Sequence, residues 1–366
     1  MITVKSFVGE AGIRTLAPAW RALTARLTLR RHFHHIEWYL ALAHTLERHN
    51  LGQLQCIAVF SDGGELAAVL PCRAGRTQIG PVEIKEIRLA SDHIDASTAR
   101  DFIIAPNLAV TNFFEGFVRY MAEHDSSWDV IQLPGILEDS LAVTALKHTE
   151  LSILQTPSNW GRIALVSCGS GIDPFACLSK GFRQNLRTSH HKLDPTKVTF
   201  EIARTESGLA KLLPEFLKVE SSGWKGTLGT SAAKDPVTNT FLLQLIYHFG
   251  PTGGCEIRLM RYGDQPIAAL FGITTDRIWY IFRIGYDETH HRASPGHLII
   301  ENLLRQNVAD KLFTTLTPYN APPWFQAWKP NQTLQIFNVY IFRQSSQGME
   351  LAQRILPILQ SQRQAG

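Results

Sequence analysis

Two stretches, QLQCIAVFSDGGELAAVLPCR (residues 53–73) and GCEIRLMRYGDQPIAALFGIT (254–274), set the strongest limit on what this chain can fold into. Each joins two apolar runs through a short Gly/Asp turn, the pattern of an antiparallel hairpin, and each has a cysteine near its start. The same hairpin in each half reads as two similar α/β halves, a duplication decayed in sequence; a chance likeness of two hairpins is the alternative. The chain length of 366 residues suits two domains, and a hydrophobic content of 45% suffices for a core in each.

The flanking segments follow the same grammar. In the first half, periodicity predicts helices around residues 16–27 and 35–49, where Trp38, Leu42 and Leu46 recur at i+4. The hairpin follows, then a strand around EIRLA (86–90), the loop SDHIDAS (91–97), a helix near 112–124 and a strand at WDVIQLP (128–134). In the second half, CEIRLMRY, PIAALFGITT and IWYIFRIGYD read as a three-strand antiparallel meander, followed by a helix from residue 295, a strand at LFTTLTPY (312–319) and another at LQIFNVYIFR (334–343). The glycine-rich CGSG-IDP segment marks the boundary. The expected domains are 1–160, 161–345 and a C-terminal helix at 346–366.

The octapeptide HHRASPGH (290–297) opens that helix. Ser294 suits an N-cap, Pro295 the first helical position, and Glu301 an early position. Ile300, Leu303, Leu304 and Val308 form one apolar face. A fixed helix start with free N–H groups and a glycine is suited to an anion such as phosphate; an ordinary capped helix is the alternative.

Bulk numbers exclude some classes. A formal net charge of +4 favours phosphorylated ligands but falls short of a dedicated nucleic-acid binder. Five scattered cysteines without a C-x-x-C pair suggest a reducing compartment and no structural zinc. The N-terminal residues lack a signal-peptide pattern and no window is long enough to span a bilayer, so the expectation is a cytoplasmic protein.

Four motifs in order, LSKGFRQNLRTSHHKL (178–193), VESSGWKGTLGT (219–230), GDQPIAALFGI (263–273) and IGYDETHHRASPGHLIIENLL (284–304), resemble the CelD-like acyltransferase group of the GNAT superfamily, related in fold to FemAB peptidyltransferases. The resemblance covers residues 165–330 well and the first half loosely. It implies an α/β (α+β) fold of two tandem GNAT-like domains, the N-terminal one degenerate, each a mostly antiparallel mixed sheet flanked by helices. It also implies acetyl-CoA or another acyl-CoA as co-substrate, with the pyrophosphate held by the loop His291 to Gly296. The common pattern of that loop begins with Arg or Gln, has a glycine three residues on and ends in Gly or Ala; here His291, Ser294 and Gly296 stand at those places. Pro295 lacks a donor, leaving the N–H groups of Ala293, Ser294, Gly296 and His297, beside Arg292, as the cradle. No comparable loop is visible in the first half, so one acyl-CoA site per chain is expected. After the last core strand the group usually shows a Tyr-Lys pair and an aromatic, whereas PWFQAWKP offers Trp324, Phe325 and Trp328 without that lysine. This departure puts the donor, the substrate or the activity itself in question.

Direct acyl transfer to an amine needs a deprotonated amine, a polarised thioester carbonyl and a proton for the leaving thiolate, with no metal. In the GNAT fold the carbonyl is polarised by a backbone N–H at a strand bulge, expected here in IWYIFRIGY. Tyr319 is the candidate acid, or the anchor of a Pro-rich turn; Asn320 fixes the turn or binds pantetheine amides. Glu220 and Asp287 are candidate bases, burial beside Trp224 being a means to raise a carboxylate's proton affinity, or alternatively a helix-surface and a strand-end residue. Trp224 and Lys225 are candidate substrate contacts. If KGFRQNLRTSHHK is helical, Arg183 and Arg187 share a face with a phosphorylated partner in reach, or form a solvated basic face. His190 and His191 lack further metal ligands at fitting spacing.

These features lead to an acyl-CoA-dependent N-acyltransferase acting on a small-molecule or glycan-precursor amine, such as an amino sugar for surface polysaccharide. One rival is a FemAB-like transferase using aminoacyl-tRNA, against which the modest charge and the lack of a charged helical hairpin argue. The other is a catalytically inert GNAT-fold scaffold. Acceptor, chain length and oligomeric state are not encoded legibly.

Overall fold

The computed structural model describes residues 2–90, 99–106, 110–124, 128–141, 143, 153–169, 171–223, 229, 231–343 and 345–364. It divides into two compact units, Met1–Ile163 with Leu334–Gly366, and Ala164–Thr333. The first unit begins with β1 (Thr3–Val8), helices α1 (Gly9–Thr15), α2 (Ala17–Ala25) and α3 (Ile36–Arg48), the hairpin β2 (Gln55–Phe60) and β3 (Leu66–Ile79), β4 (Val82–Leu89), the short β5 (Ile103–Ile104), α4 (Val110–His124), β6 (Val130–Leu137) and β7 (Ile153–Ser167), whose last residues belong to the second unit. The second continues with α5 (Lys180–His191), β8 (Val198–Ala203), α6 (Glu206–Ser222), α7 (Pro236–Phe249), β9 (Cys255–Tyr262), β10 (Gln265–Thr275), β11 (Ile278–Tyr286), α8 (Pro295–Asp310) and β12 (Thr315–Pro318). Then β13 (Gln332–Phe342) and α9 (Ser346–Gln364) complete the first unit.

Each unit is built on the same strand sequence. In the first, β1, β2, β3 and β4 pair antiparallel in turn, β4 pairs parallel with β6, and β6 antiparallel with β13. In the second, β8, β9, β10 and β11 pair antiparallel, β11 parallel with β12, and β12 antiparallel with β7. A helix, α4 or α8, makes the crossover between the parallel strands in each. The duplication suggested by the two hairpins is thus a repeat of topology.

The structure draws the C-terminal division differently from the ranges 161–345 and 346–366. Strand β13 takes β6 as its partner and buries Val339 and Ile341 in the first unit's core, while Ile355 and Leu359 of α9 pack with Ile84 and Val130. The loop 91–97 lies outside the described residues.

In the second unit the sheet is covered on both faces. Alternation along β10 sends Leu270 into the cluster with Leu298, Ile299, Leu303 and Leu304 of α8, and its neighbour Phe271 onto Phe216 of α6, ring centroids 5.9 Å apart. The turn between β10 and β11 holds Asp276 and Arg277 at φ of 46° and 64°, the left-handed pair a two-residue hairpin requires.

Candidate active site

Strand β11 gives the site its frame. It pairs with β12 only from Ile278 to Ile281; beyond that point β11 runs on to Tyr286 beside β10 alone among its described partners, and residues 282–286 become half-buried. Where the two parallel strands part, the register with β10 slips: Gly272 faces Ile281, Phe271 faces Arg283, and Phe282 is the extra residue. A bulge of this kind re-aims backbone groups out of the ladder. The expectation of a bulge in IWYIFRIGY is met at Phe282, and the Tyr319 ring lies beside it, 5.2 Å from Phe282 and 5.6 Å from Tyr280.

The open end of β11 borders a cavity of about 440 Å³, lined by Glu220 and Gly223 from α6 and its end, Ile284 to Tyr286 of β11, His291, Ser294, Gly296 and His297 from the loop and start of α8, and Trp324. The octapeptide and one candidate base therefore meet in one place. The approach of α6 to β11 is so close at Gly285 that a Cβ would lie 2.6 Å from Glu220 Cα.

The loop is built by its own side chains. Asp287 accepts from the N–H and hydroxyl of Thr289 and from Gln265 Nε2, and caps the 3-10 turn Glu288–Ala293. Burial would raise its carboxyl, but the Thr289 hydrogen bonds and the nearby His290 outweigh this and hold it below the usual range. Asp287 anchors the loop and is not among the described residues lining the cavity. Lys192 Nζ, from the end of α5, donates to the Arg292 carbonyl at 2.6 Å. His190 Nε2 meets the buried Glu301 at 2.9 Å, and Arg305 bonds the same carboxylate.

Three details differ from the sequence reading. Ser294 adopts a left-handed conformation, φ 48°, and makes no side-chain cap bond. Its N–H donates to His291 O and the N–H of His297 donates to Ser294 O, so two of the four expected cradle donors are engaged in turns. Gly296 sits at the second helical position, where the helix offers its N–H no acceptor; Ala293 is buried, while His291 and Arg292 are exposed. Val308, expected on the apolar face of α8, is 51% exposed, and Asn307 turns inward instead, donating to the Cys168 and Phe313 carbonyls and accepting from Phe313 N–H.

Glu220 is fully buried, and its partner is a residue the sequence reading passed over. Arg283 Nε donates to Oε1 at 2.5 Å, and Ala232 N–H to Oε2 at 2.9 Å. The carboxylate thus faces a guanidinium, where the expectation was an apolar neighbour in Trp224. Trp224 and Lys225 lie outside the described residues. A lone cation inside the apolar strand IWYIFRIGY is the signal that points to Arg283. Asn320 accepts from Ala164 N–H and is not among the described lining residues. Arg183 and Arg187 stand on the exposed face of α5, while Phe182 of the same helix turns inward onto His297 and Trp328, ring centroids 5.2 and 5.1 Å away.

Parallel strands that part beside a bulge, with a helix starting opposite their open ends, are the frame of a GNAT fold; the first unit repeats the strand order, with a continuous register between β3 and β4. Residues 180–317 match the family described as acetyltransferase (GNAT) domain, which supports a transferase of this type. No curated protein matches the chain in sequence. Among solved structures, FemX is similar over 93% of this chain and 98% of its own, at 11% identity and a TM-score of 0.59. The C-terminal domain of an Agrobacterium fabrum protein described as a lysylphosphatidylglycerol synthetase is similar over 95% and 97%, at 12% identity and a TM-score of 0.52. A tandem GNAT protein from the clavulanic acid biosynthesis pathway is similar over 92% and 98%, at 10% identity and a TM-score of 0.50. At these identities the likeness defines the fold. None of the helices among the described residues is long and apolar enough to cross a membrane, and no group of metal-ligating side chains occurs among them.

Proposed function

We propose that the second unit is an acyl-CoA-dependent N-acyltransferase of the CelD-like group, with acetyl-CoA as donor and an amine, such as an amino-sugar precursor of surface polysaccharide, as acceptor. One observation carries the reading: a single cavity joins the loop before α8, the end of β11 beyond its pairing with β12 and the Glu220 carboxylate. A bound acyl-CoA supplies a thioester carbon open to attack. The N–H of Gly296, with His291 and Arg292 beside it, is the candidate to hold the pyrophosphate, and the lack of a side chain at Gly296 favours a close approach. The backbone at the Phe282 bulge is suited to take the developing negative charge on the carbonyl oxygen. The Glu220 carboxylate, which lines the same cavity, is the candidate to draw in an ammonium and take its proton. Tyr319 beside the bulge is the candidate to protonate the departing thiolate.

The exposed basic face of α5 supports a second reading, in which the donor is an aminoacyl-tRNA, as the neighbours FemX and the lysylphosphatidylglycerol synthetase domain invite. Transfer of label from acetyl-CoA to a panel of amines that includes amino sugars, run beside a salt series of tRNA binding, separates the two. Acetylated product without tight tRNA binding supports the first reading; steeply salt-dependent tRNA affinity without acetyl transfer supports the second.

A further inference from the structure

The His297 side chain occupies a position that its backbone role does not explain. It lines the cavity, its ring clusters with those of Phe182 and Trp328, centroids 5.2 and 6.0 Å away, and its Nδ1 is buried with no hydrogen-bond partner among the described residues. Burial lowers its proton affinity below the ordinary value. The charged and titratable residues sharing the cavity are Glu220, already held by Arg283, the exposed His291, and Tyr286, and from α5 Phe182 is the residue that touches the ring.

A buried N–H without an acceptor is costlier than a bare lone pair, so the neutral ring carries its proton on Nε2. That makes it a donor without a charge. A phosphate would select an imidazolium, and among the described residues no carboxylate forms an ion pair with this ring. We infer that His297 is a neutral hydrogen-bond donor for a carbonyl oxygen, the amide or thioester carbonyl of the pantetheine arm, rather than a phosphate ligand. This rests on the reading of the cavity as an acyl-CoA site and adds to it a side chain that recognises the part of the donor nearest the reaction.

The test is imidazole ¹⁵N NMR of the full chain, with the His297 signals assigned by His297→Gln, titrated with S-acetylpantetheine, adenosine 3′,5′-bisphosphate and acetyl-CoA. The expected result is a neutral Nε2–H ring at pH 7 whose Nε2 signal moves with S-acetylpantetheine and acetyl-CoA and stays neutral. His297→Phe should lose about tenfold in acetyl-CoA affinity, the size of one hydrogen bond, and His297→Gln, which keeps a donor, should lose less. A ring that becomes protonated or moves with the bisphosphate alone, or one unmoved by all three, overturns the proposal. Thermal stabilisation by acetyl-CoA tells the two failures apart: stabilisation with an unmoved ring leaves the acyltransferase reading standing, whereas no stabilisation and an unmoved ring removes both.

Discussion

The Glu220 carboxylate and the Arg283 guanidinium meet at 2.5 Å, with the Glu220 side chain fully buried and that of Arg283 at 16% exposure. Sixty-three residues separate them in sequence, and their pairing ties α6 to the strand that frames the cavity.

Breaking that pair should be expensive, because it strands a charge in the interior. Glu220→Ala is expected to cost about 3 kcal/mol of unfolding free energy and to abolish transfer, while Glu220→Leu combined with Arg283→Met should recover much of the stability and none of the activity. Urea unfolding of the two variants beside the natural protein checks the first effect and the acetyl-transfer assay the second.

Gly285 is where α6 touches β11. A methyl group there would lie 2.6 Å from Glu220 Cα and 3.2 Å from Glu220 N, both backbone atoms that cannot step aside alone. Gly285→Ala should therefore destabilise by about 1–3 kcal/mol, as overpacking does, with a matching fall in melting temperature.

At the other end of α8, Lys311 closes the helix in the left-handed region at φ 54°, its N–H bonded to Asn307 O. Side chains pay a steric cost there that glycine escapes. Lys311→Gly should stabilise the protein by up to about 1 kcal/mol, measurable in the same unfolding experiment.

In the first unit, burial pushes the Asp101 carboxyl up to about 7, against hydrogen bonds from Ser140 and the Phe102 N–H and the charge of Arg31. A carboxyl whose folded value lies above its ordinary 3.8 contributes stability that is fully present below that value and is lost as pH rises toward 7. Asp101→Asn keeps the uncharged form at every pH, so its stability relative to the natural protein should rise between pH 4 and pH 8. A difference that stays flat over that range contradicts the assignment.

The hairpins and the helix before the site were legible because their signals are local: alternating apolar residues around Gly/Asp turns, and Ser-Pro-Gly ahead of an apolar face. The helices α6 and α7 were not read. Pro214 inside α6 looks like a break, although a helix packed on a sheet tolerates it, and the Asp235-Pro236 start of α7, where Asp235 accepts from two N–H groups, went unweighed. The octapeptide and Glu220 were found from motif and residue type, yet their meeting in one cavity depends on how α6 and β11 cross at Gly285. The Phe282 bulge was expected only from the family resemblance, since a backbone slip leaves no residue pattern of its own. Arg283 and the ring of His297 acquire meaning only through partners distant in sequence.

The most direct measurement is a calorimetric titration of acetyl-CoA into the natural protein and Gly296→Trp. Gly296 faces the cavity across from Tyr286 and Ile284, and an indole there fills the space assigned to the donor. The account predicts saturable one-site binding to the natural protein, with a stabilisation of about 2.7 kcal/mol at a hundred times the dissociation constant, and loss of binding in a variant that still unfolds cooperatively. Equal binding to both proteins, or none to the natural one, would contradict it.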